Sequence, residues 1–187
     1  MNFNLFKNIF GANIMSNKTI SASLSEDDLG VLLRVHLLSE RFLEAFISAS
    51  IDKGDLYHGA TKDKEKSERG YFSKLNTAKE LGLPEATFEA LRELNSARNE
   101  AAHQLDSDSI KIDLILALEE WANKITDHTD VDLTQHGMRT ADKNGKQLNR
   151  YDYASAETPL RVKLLILYSC LIRRSLEACG LNLNDAS

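Results

Sequence analysis

The chain contains only two prolines, Pro84 and Pro159, among its 187 residues. Proline ends or kinks an α-helix, so its scarcity leaves long stretches in which a helix can continue without interruption. Each proline stands directly before an apolar, periodic stretch, where it suits the first turn of a helix. Together with a count of nine glycines, this pattern favours an all-α fold over one made of strands and turns.

Apolar residues recur at spacings of three and four in five segments, as they do on one face of a helix. The first segment opens at Ser23, which forms a capping-box pattern with Glu26, and the last closes at Gly180. A bundle of about five main helices is therefore predicted within a single domain, residues 23–187. The predicted helices span about residues 23–51, 71–81, 84–103, 107–125 and 158–180.

Two polar segments separate these helices. Residues 52–70 are charged and poor in apolar groups, which is typical of a solvated loop. The segment from Thr129 to Glu157 contains Asn144-Gly145, a two-residue turn signal that predicts a small projecting hairpin near residues 138–150.

The N-terminal segment, residues 1–22, carries Phe3, Leu5, Phe6, Ile9 and Phe10 at helical spacing. We expect a short helix that docks on the core or on a partner. A membrane-surface role is less favoured, because the polar side lacks the usual Lys and Arg. A second methionine, Met15, offers an alternative translation start, and with that start the preceding residues are expected to be dispensable.

Charge and cysteine content narrow the function classes. The net charge of −5 argues against a protein that coats nucleic acid nonspecifically, although a local basic groove remains compatible with it. Cys170 and Cys179 lie nine residues apart on one predicted helix and point to opposite sides, so we expect free thiols and a cytoplasmic location. No signal peptide pattern is present, the last helix has too short an apolar core to span a bilayer, and no membrane association is predicted.

The predicted helix 84–103 carries an arginine in its apolar stripe. Arg98 lies between Leu94 and Ala101 on that face, and burying an unpaired guanidinium is costly. One interpretation is structural: Glu40, Glu44 or backbone carbonyls pair with Arg98, and His103 caps the end of the helix. The other interpretation gives the cation a chemical use.

The run Arg98-Asn99-Glu100-Ala101-Ala102-His103 resembles the R-N-x-x-x-H signature of the HEPN superfamily. The likeness extends over about residues 29–125 and is closest to the mannitol-operon-repressor branch. It includes His36-Leu37-Leu38-Ser39-Glu40-Arg41-Phe42-Leu43-Glu44-Ala45-Phe46-Ile47, Phe72-Ser73-Lys74-Leu75, Ala78 and Leu81-Gly82-Leu83. HEPN domains are all-α, and many are metal-independent endoribonucleases of toxin–antitoxin and anti-phage systems.

The resemblance implies roles for three residues and no cofactor. His103 would take the proton from the ribose 2′-hydroxyl or protonate the leaving 5′-oxygen, and Arg98 would hold the phosphate. Asn99 would orient the histidine or a phosphate oxygen. It also implies an RNA substrate, a homodimer with a shared cleft, and an antitoxin or other regulatory protein partner. Antitoxin-modified members carry a tyrosine two residues after the histidine, where this chain has Leu105, so that modification is not expected. The alternative is a non-catalytic, mannitol-repressor-like regulator that acts through protein contacts.

Two weaker patterns lie in the second polar segment. Arg139, Lys143, Lys146 and Arg150, with Tyr151 and Tyr153, form a basic and aromatic run that fits either an RNA backbone or a charged surface hairpin. His128 and His136 occur among acidic residues, but their spacing matches no defined ligand set, so a solvated loop and no metal site are predicted. The acidic residues in question are Asp127, Asp130 and Asp132.

Overall fold

The computed structural model describes residues 1–11, 27–57, 70–103, 110–141 and 147–181. Within these ranges, six α-helices and one two-stranded antiparallel ribbon surround a single hydrophobic core. This confirms the predicted all-α bundle with a small hairpin. The helices are α1 (Phe3–Phe10), α2 (Asp28–Ser50), α3 (Tyr71–Glu80), α4 (Glu85–His103), α5 (Ile112–Lys124) and α6 (Leu160–Ala178), and the strands are β1 (Gly137–Ala141) and β2 (Gln147–Asp152).

Helix α2 is the central element, and it contacts α1, α3, α4 and α6. It begins at Asp28 and not near Ser23, because the carboxylate of Asp27 accepts hydrogen bonds from the backbone N–H groups of Leu29 and Gly30, at 3.1 and 2.9 Å. The predicted capping-box residues lie outside the described part of the chain. The apolar face of α2 is fully buried at Val31, Val35, Phe42, Leu43 and Ala45.

Helix α1 packs on the far end of α2. The rings of Phe6 and Phe10 meet the Phe42 ring edge-on, with centroids 5.9 and 5.7 Å away. The backbone N–H of Asn2 donates to the Ala49 carbonyl at 2.9 Å. Three residues of α1, Phe6, Ile9 and Phe10, therefore form part of the core, as expected for a helix that docks on it.

The turn between α3 and α4 is tight. Gly82 has a φ of 97°, a conformation that side chains with a Cβ rarely adopt. The backbone N–H of Leu83 returns to the Ala78 carbonyl at 3.0 Å, and the Pro84 carbonyl accepts from Phe88 at 3.0 Å. This turn lays α4 against both α3 and α2.

The ribbon packs on α6 through β1. Its register places Met138 opposite Tyr151 and Arg139 opposite Arg150, with an irregularity between Thr140 and Ala141. The predicted Asn144-Gly145 turn lies outside the described residues. Helix α6 is buried on most of its surface, as its apolar sequence predicts, and Leu164, Leu165, Leu167 and Tyr168 are almost inaccessible to solvent.

Candidate active site

Arg98 lies on α4 at the edge of the core, and its guanidinium is only partly exposed. Its Nη1 donates to Asn99 Oδ1 at 3.0 Å. Its Nε is buried and has no hydrogen-bond partner among the described residues. No carboxylate in the described ranges lies within ion-pair distance of this guanidinium. Among the described residues, Arg98 is therefore a positive charge that an amide holds in place and that no acid neutralises.

The prediction that Glu40 or Glu44 balances Arg98 is wrong, because both carboxylates bind Lys74. Lys74 Nζ lies 2.8 Å from Glu40 Oε1 and 2.6 Å from Glu44 Oε1, and its side chain is only 4% exposed. Burial alone would lower the pKa of Lys74, but the two carboxylates more than offset it and the pKa rises above its usual value. Lys74 of α3 is thus the ion-pair partner of the two acids that the sequence analysis offered as partners of Arg98 on α4.

A buried polar network connects α2, α3 and α4 beside Arg98. His36 Nε2 lies 3.0 Å from Asn95 Oδ1, and the His36 ring stacks on Tyr71 with centroids 4.3 Å apart. The hydroxyls of Ser39 and Tyr71 are hydrogen-bonded at 2.9 Å. Burial lowers the pKa of His36, and the nearby Arg98 cation lowers it further, against the opposing effects of Asn95 and Glu40.

Sequence reasoning did not single out His36, Asn95 or Tyr71 as members of this site. The available signal was a pair of polar residues, His36 and Ser39, inside the apolar stripe of α2. A polar residue on a buried face needs a partner. Periodicity alone does not say which helix supplies that partner.

His103 is the last residue of α4, and its side chain is exposed, as is that of Asn99. Five residues along a helix correspond to about 7.5 Å of rise and about 140° of rotation, so Arg98 and His103 do not touch within one chain. The structure thus brings Arg98 and Asn99 into contact and places His103, exposed, at the end of the helix.

The structure describes some of the basic and aromatic residues that were predicted on the hairpin. Arg139 and Arg150 are exposed and face each other across the ribbon, whereas Lys143 and Lys146 lie outside the described residues. Tyr153 is buried, and its hydroxyl donates to Glu119 Oε2 at 2.8 Å. Its pKa is raised by burial and by that carboxylate, so this tyrosine serves the core and is not available for stacking on bases.

Of the residues weighed as metal ligands, Asp130 and His136 meet, at 3.1 Å between Oδ2 and Nε2. Cys170 is the third group of this cluster, within 4.8 Å. Both oxygens of Asp130, however, already pair with guanidinium groups, those of Arg173 at 2.6 Å and Arg174 at 3.2 Å. Burial, reinforced by Asp130, raises the pKa of the Cys170 thiol to about 11, which disfavours the thiolate that a metal requires. His128, Asp127 and Asp132 do not join this cluster among the described residues.

A comparison of the chain with family models, with curated proteins and with solved structures finds no match to any of them. Among the described helices, none has the length and apolar character needed to cross a bilayer.

Proposed function

We propose that this protein is a metal-independent endoribonuclease of the HEPN type, acting as a toxin or anti-phage effector, with Arg98, Asn99 and His103 at its active site. The observation that carries the proposal is the lack of a carboxylate partner for Arg98 among the described residues, although its Nε is buried. The structural interpretation pairs this arginine with Glu40, Glu44 or backbone carbonyls, and both of these acids bind Lys74 instead. A half-buried cation that has no counter-ion in the described part of the chain favours an anionic ligand.

An RNA phosphate fits this requirement. A guanidinium offers paired N–H donors that match two phosphate oxygens, and it stabilises the charge that develops on them during transfer. Asn99 holds Nη1 of the guanidinium at 3.0 Å, so the cation is oriented before a ligand arrives. Asn99 is exposed and Arg98 is partly exposed, which leaves room for a large substrate.

His103 supplies the proton transfer. The ribose 2′-oxygen attacks phosphorus as its proton leaves to a base, and the bond from phosphorus to the 5′-oxygen breaks as an acid protonates that oxygen. The products are a 2′,3′-cyclic phosphate and a 5′-hydroxyl, and no metal is needed. Because each chain contributes one such histidine, we propose a homodimer in which two α4 termini face one cleft.

The test is cleavage of a single-stranded RNA by the purified protein in the presence of a metal chelator. Cyclic phosphate ends are expected. His103→Ala and Arg98→Ala should each lower the rate by about a hundredfold or more, as loss of a positioned acid–base group or an anion donor does.

Two matched variants control for general effects. Arg92→Ala removes an exposed arginine from the same helix, where it pairs with Glu89 at 2.6 Å, and His128→Ala removes a histidine from another part of the molecule. Both should cleave at the wild-type rate. Wild-type cleavage by folded His103→Ala protein would refute the proposal.

A second candidate is the non-catalytic regulator, and one surface favours it. Ile112 and Leu116 on α5 are 51% and 56% exposed. Helices α4 and α5 also enclose an open groove of about 400 Å³, which is lined by apolar residues such as Ala97, Ala101 and Leu114 and by charged ones such as Glu93 and Asp113. Exposed apolar surface of this kind suits a protein partner. A neighbouring mannitol-uptake operon favours this candidate, and a neighbouring nucleotidyltransferase or defence cassette favours the ribonuclease.

A further inference from the structure

A second groove lies between β1 and α6, away from Arg98. It has a volume of about 470 Å³ and is open to solvent on one side. Its charged or titratable oxygen- and nitrogen-bearing side chains are His136, Arg139 and Arg173, and no carboxylate lines it among the described residues. In a chain with a net charge of −5, a groove whose permanently charged lining residues, within the described ranges, are both arginines is a local reversal of sign.

The groove is held in shape by a buried ionic network behind it. Asp130, whose side chain is 3% exposed, binds Arg173, Arg174 and His136. Arg174 is equally buried and also donates to the carbonyls of Ala122 and Val131, at 3.0 and 2.9 Å. Arg173 and His136 are therefore positioned by contacts behind the groove wall, without help from a ligand.

This network contains more positive than negative charge. Within the described ranges, a single carboxylate, that of Asp130, pairs with two guanidinium groups. Arg173 uses Nη2 to reach Asp130 and His136, and its side chain is 39% exposed, so part of the guanidinium faces solvent. An anion in the groove would complete the balance of charge.

The ribbon adds a further cation at the rim. Arg139 stands directly opposite Arg150 in the strand register, and like charges in that position repel each other. Arg150 pairs with Asp152 at 3.2 Å, whereas Arg139 forms no ion pair within the described ranges. Ser169 lines the same groove, but its hydroxyl donates to the Leu165 carbonyl at 2.9 Å and is not counted as a ligand.

We propose that this groove binds a phosphate group, carried either by a small nucleotide or by an RNA backbone, with Arg139 and Arg173 as its ligands. Guanidinium donors spaced around an open pocket suit the several oxygens of a phosphate. The site is separate from Arg98 and His103, and the proposal does not depend on ribonuclease activity.

The test measures binding by calorimetry with four probes: pyrophosphate, adenosine monophosphate, adenosine and a short single-stranded RNA. The His103→Ala protein is used so that the RNA stays intact. Probes that carry phosphate should bind, and adenosine should not. Binding of the RNA alone identifies a backbone ligand, whereas binding of pyrophosphate or the mononucleotide identifies a small one.

Two substitutions locate the site. Arg139→Gln and Arg173→Gln should each weaken binding by about tenfold or more, because each removes a charge-assisted hydrogen bond. Arg92→Gln removes a similarly exposed charge from α4 and should leave affinity within about twofold. Circular dichroism checks the fold of Arg173→Gln, and Arg139 is exposed, so its variant stays informative if the other unfolds. Absence of binding by every phosphate probe, or unchanged affinity in folded Arg139→Gln, would overturn the proposal.

Discussion

Replacing Lys74 by methionine should destabilise the bundle strongly, although methionine matches the lysine stem in length. The side chain of Glu44 is 7% exposed and loses a partner at 2.6 Å, retaining Arg41 at 3.3 Å. Leaving a buried charge without its partner costs about 3–5 kcal/mol. Loss of the second ion pair, between Lys74 and the 28% exposed Glu40, adds about 0–1 kcal/mol to this cost. Since Arg41 remains and methionine adds apolar contact, a net loss of about 3 kcal/mol is expected.

Thermal and urea unfolding measure this loss. For a chain of this size, about 3 kcal/mol corresponds to a fall in Tm of about 6–12 °C. The double variant Lys74→Met with Glu44→Gln should recover more than half of the loss, because the neutral amide no longer needs a buried cation. Lys79→Met, which removes a 42% exposed lysine paired with Glu85, should change stability by less than about 0.5 kcal/mol. Two results would refute the assignment of Lys74 as the cation that neutralises Glu40 and Glu44. One is a loss of stability below about 1 kcal/mol in Lys74→Met, and the other is no recovery of stability in the double variant.

Two further predictions concern stability. The pKa of His36 is lowered in the folded state, so folding disfavours protonation of this histidine. Its contribution to the free energy of unfolding should therefore be constant above its ordinary pKa of 6.5. Below that pH the free energy of unfolding should fall, by at most about 1.4 kcal/mol per pH unit. In urea titrations from pH 8 to 5, His36→Gln should show a smaller fall than wild type, and an equal fall would assign the effect to other groups. Removal of residues 1–14 should lower stability by about 4 kcal/mol or more, because Phe6, Ile9 and Phe10 leave the core, and an unchanged Tm would show that α1 does not support the bundle.

Much of the fold follows from local pattern in the sequence. Helix α4 spans Glu85–His103, which is within one residue of the predicted range of 84–103, because proline suits the start of a helix and the apolar spacing continues through the helix. The hairpin follows from a turn signal within a polar segment. The start of α2 was misplaced because Ser23 and Asp27 both have side chains that cap helices, and local pattern did not distinguish them.

In the candidate site, too, local pattern determined some features and tertiary packing determined others. The sequence by itself determined that Arg98, Asn99 and His103 share the end of one helix, since helical spacing fixes neighbours along a single element. Only the tertiary structure decided that Lys74 takes the acids of α2 and that His36 meets Asn95. Those pairs join different helices, and their choice depends on how the helices pack and on which buried charge gains most from a partner. The same reason places Arg173 and Arg139 on one groove, because no local spacing relates a residue of α6 to one of β1.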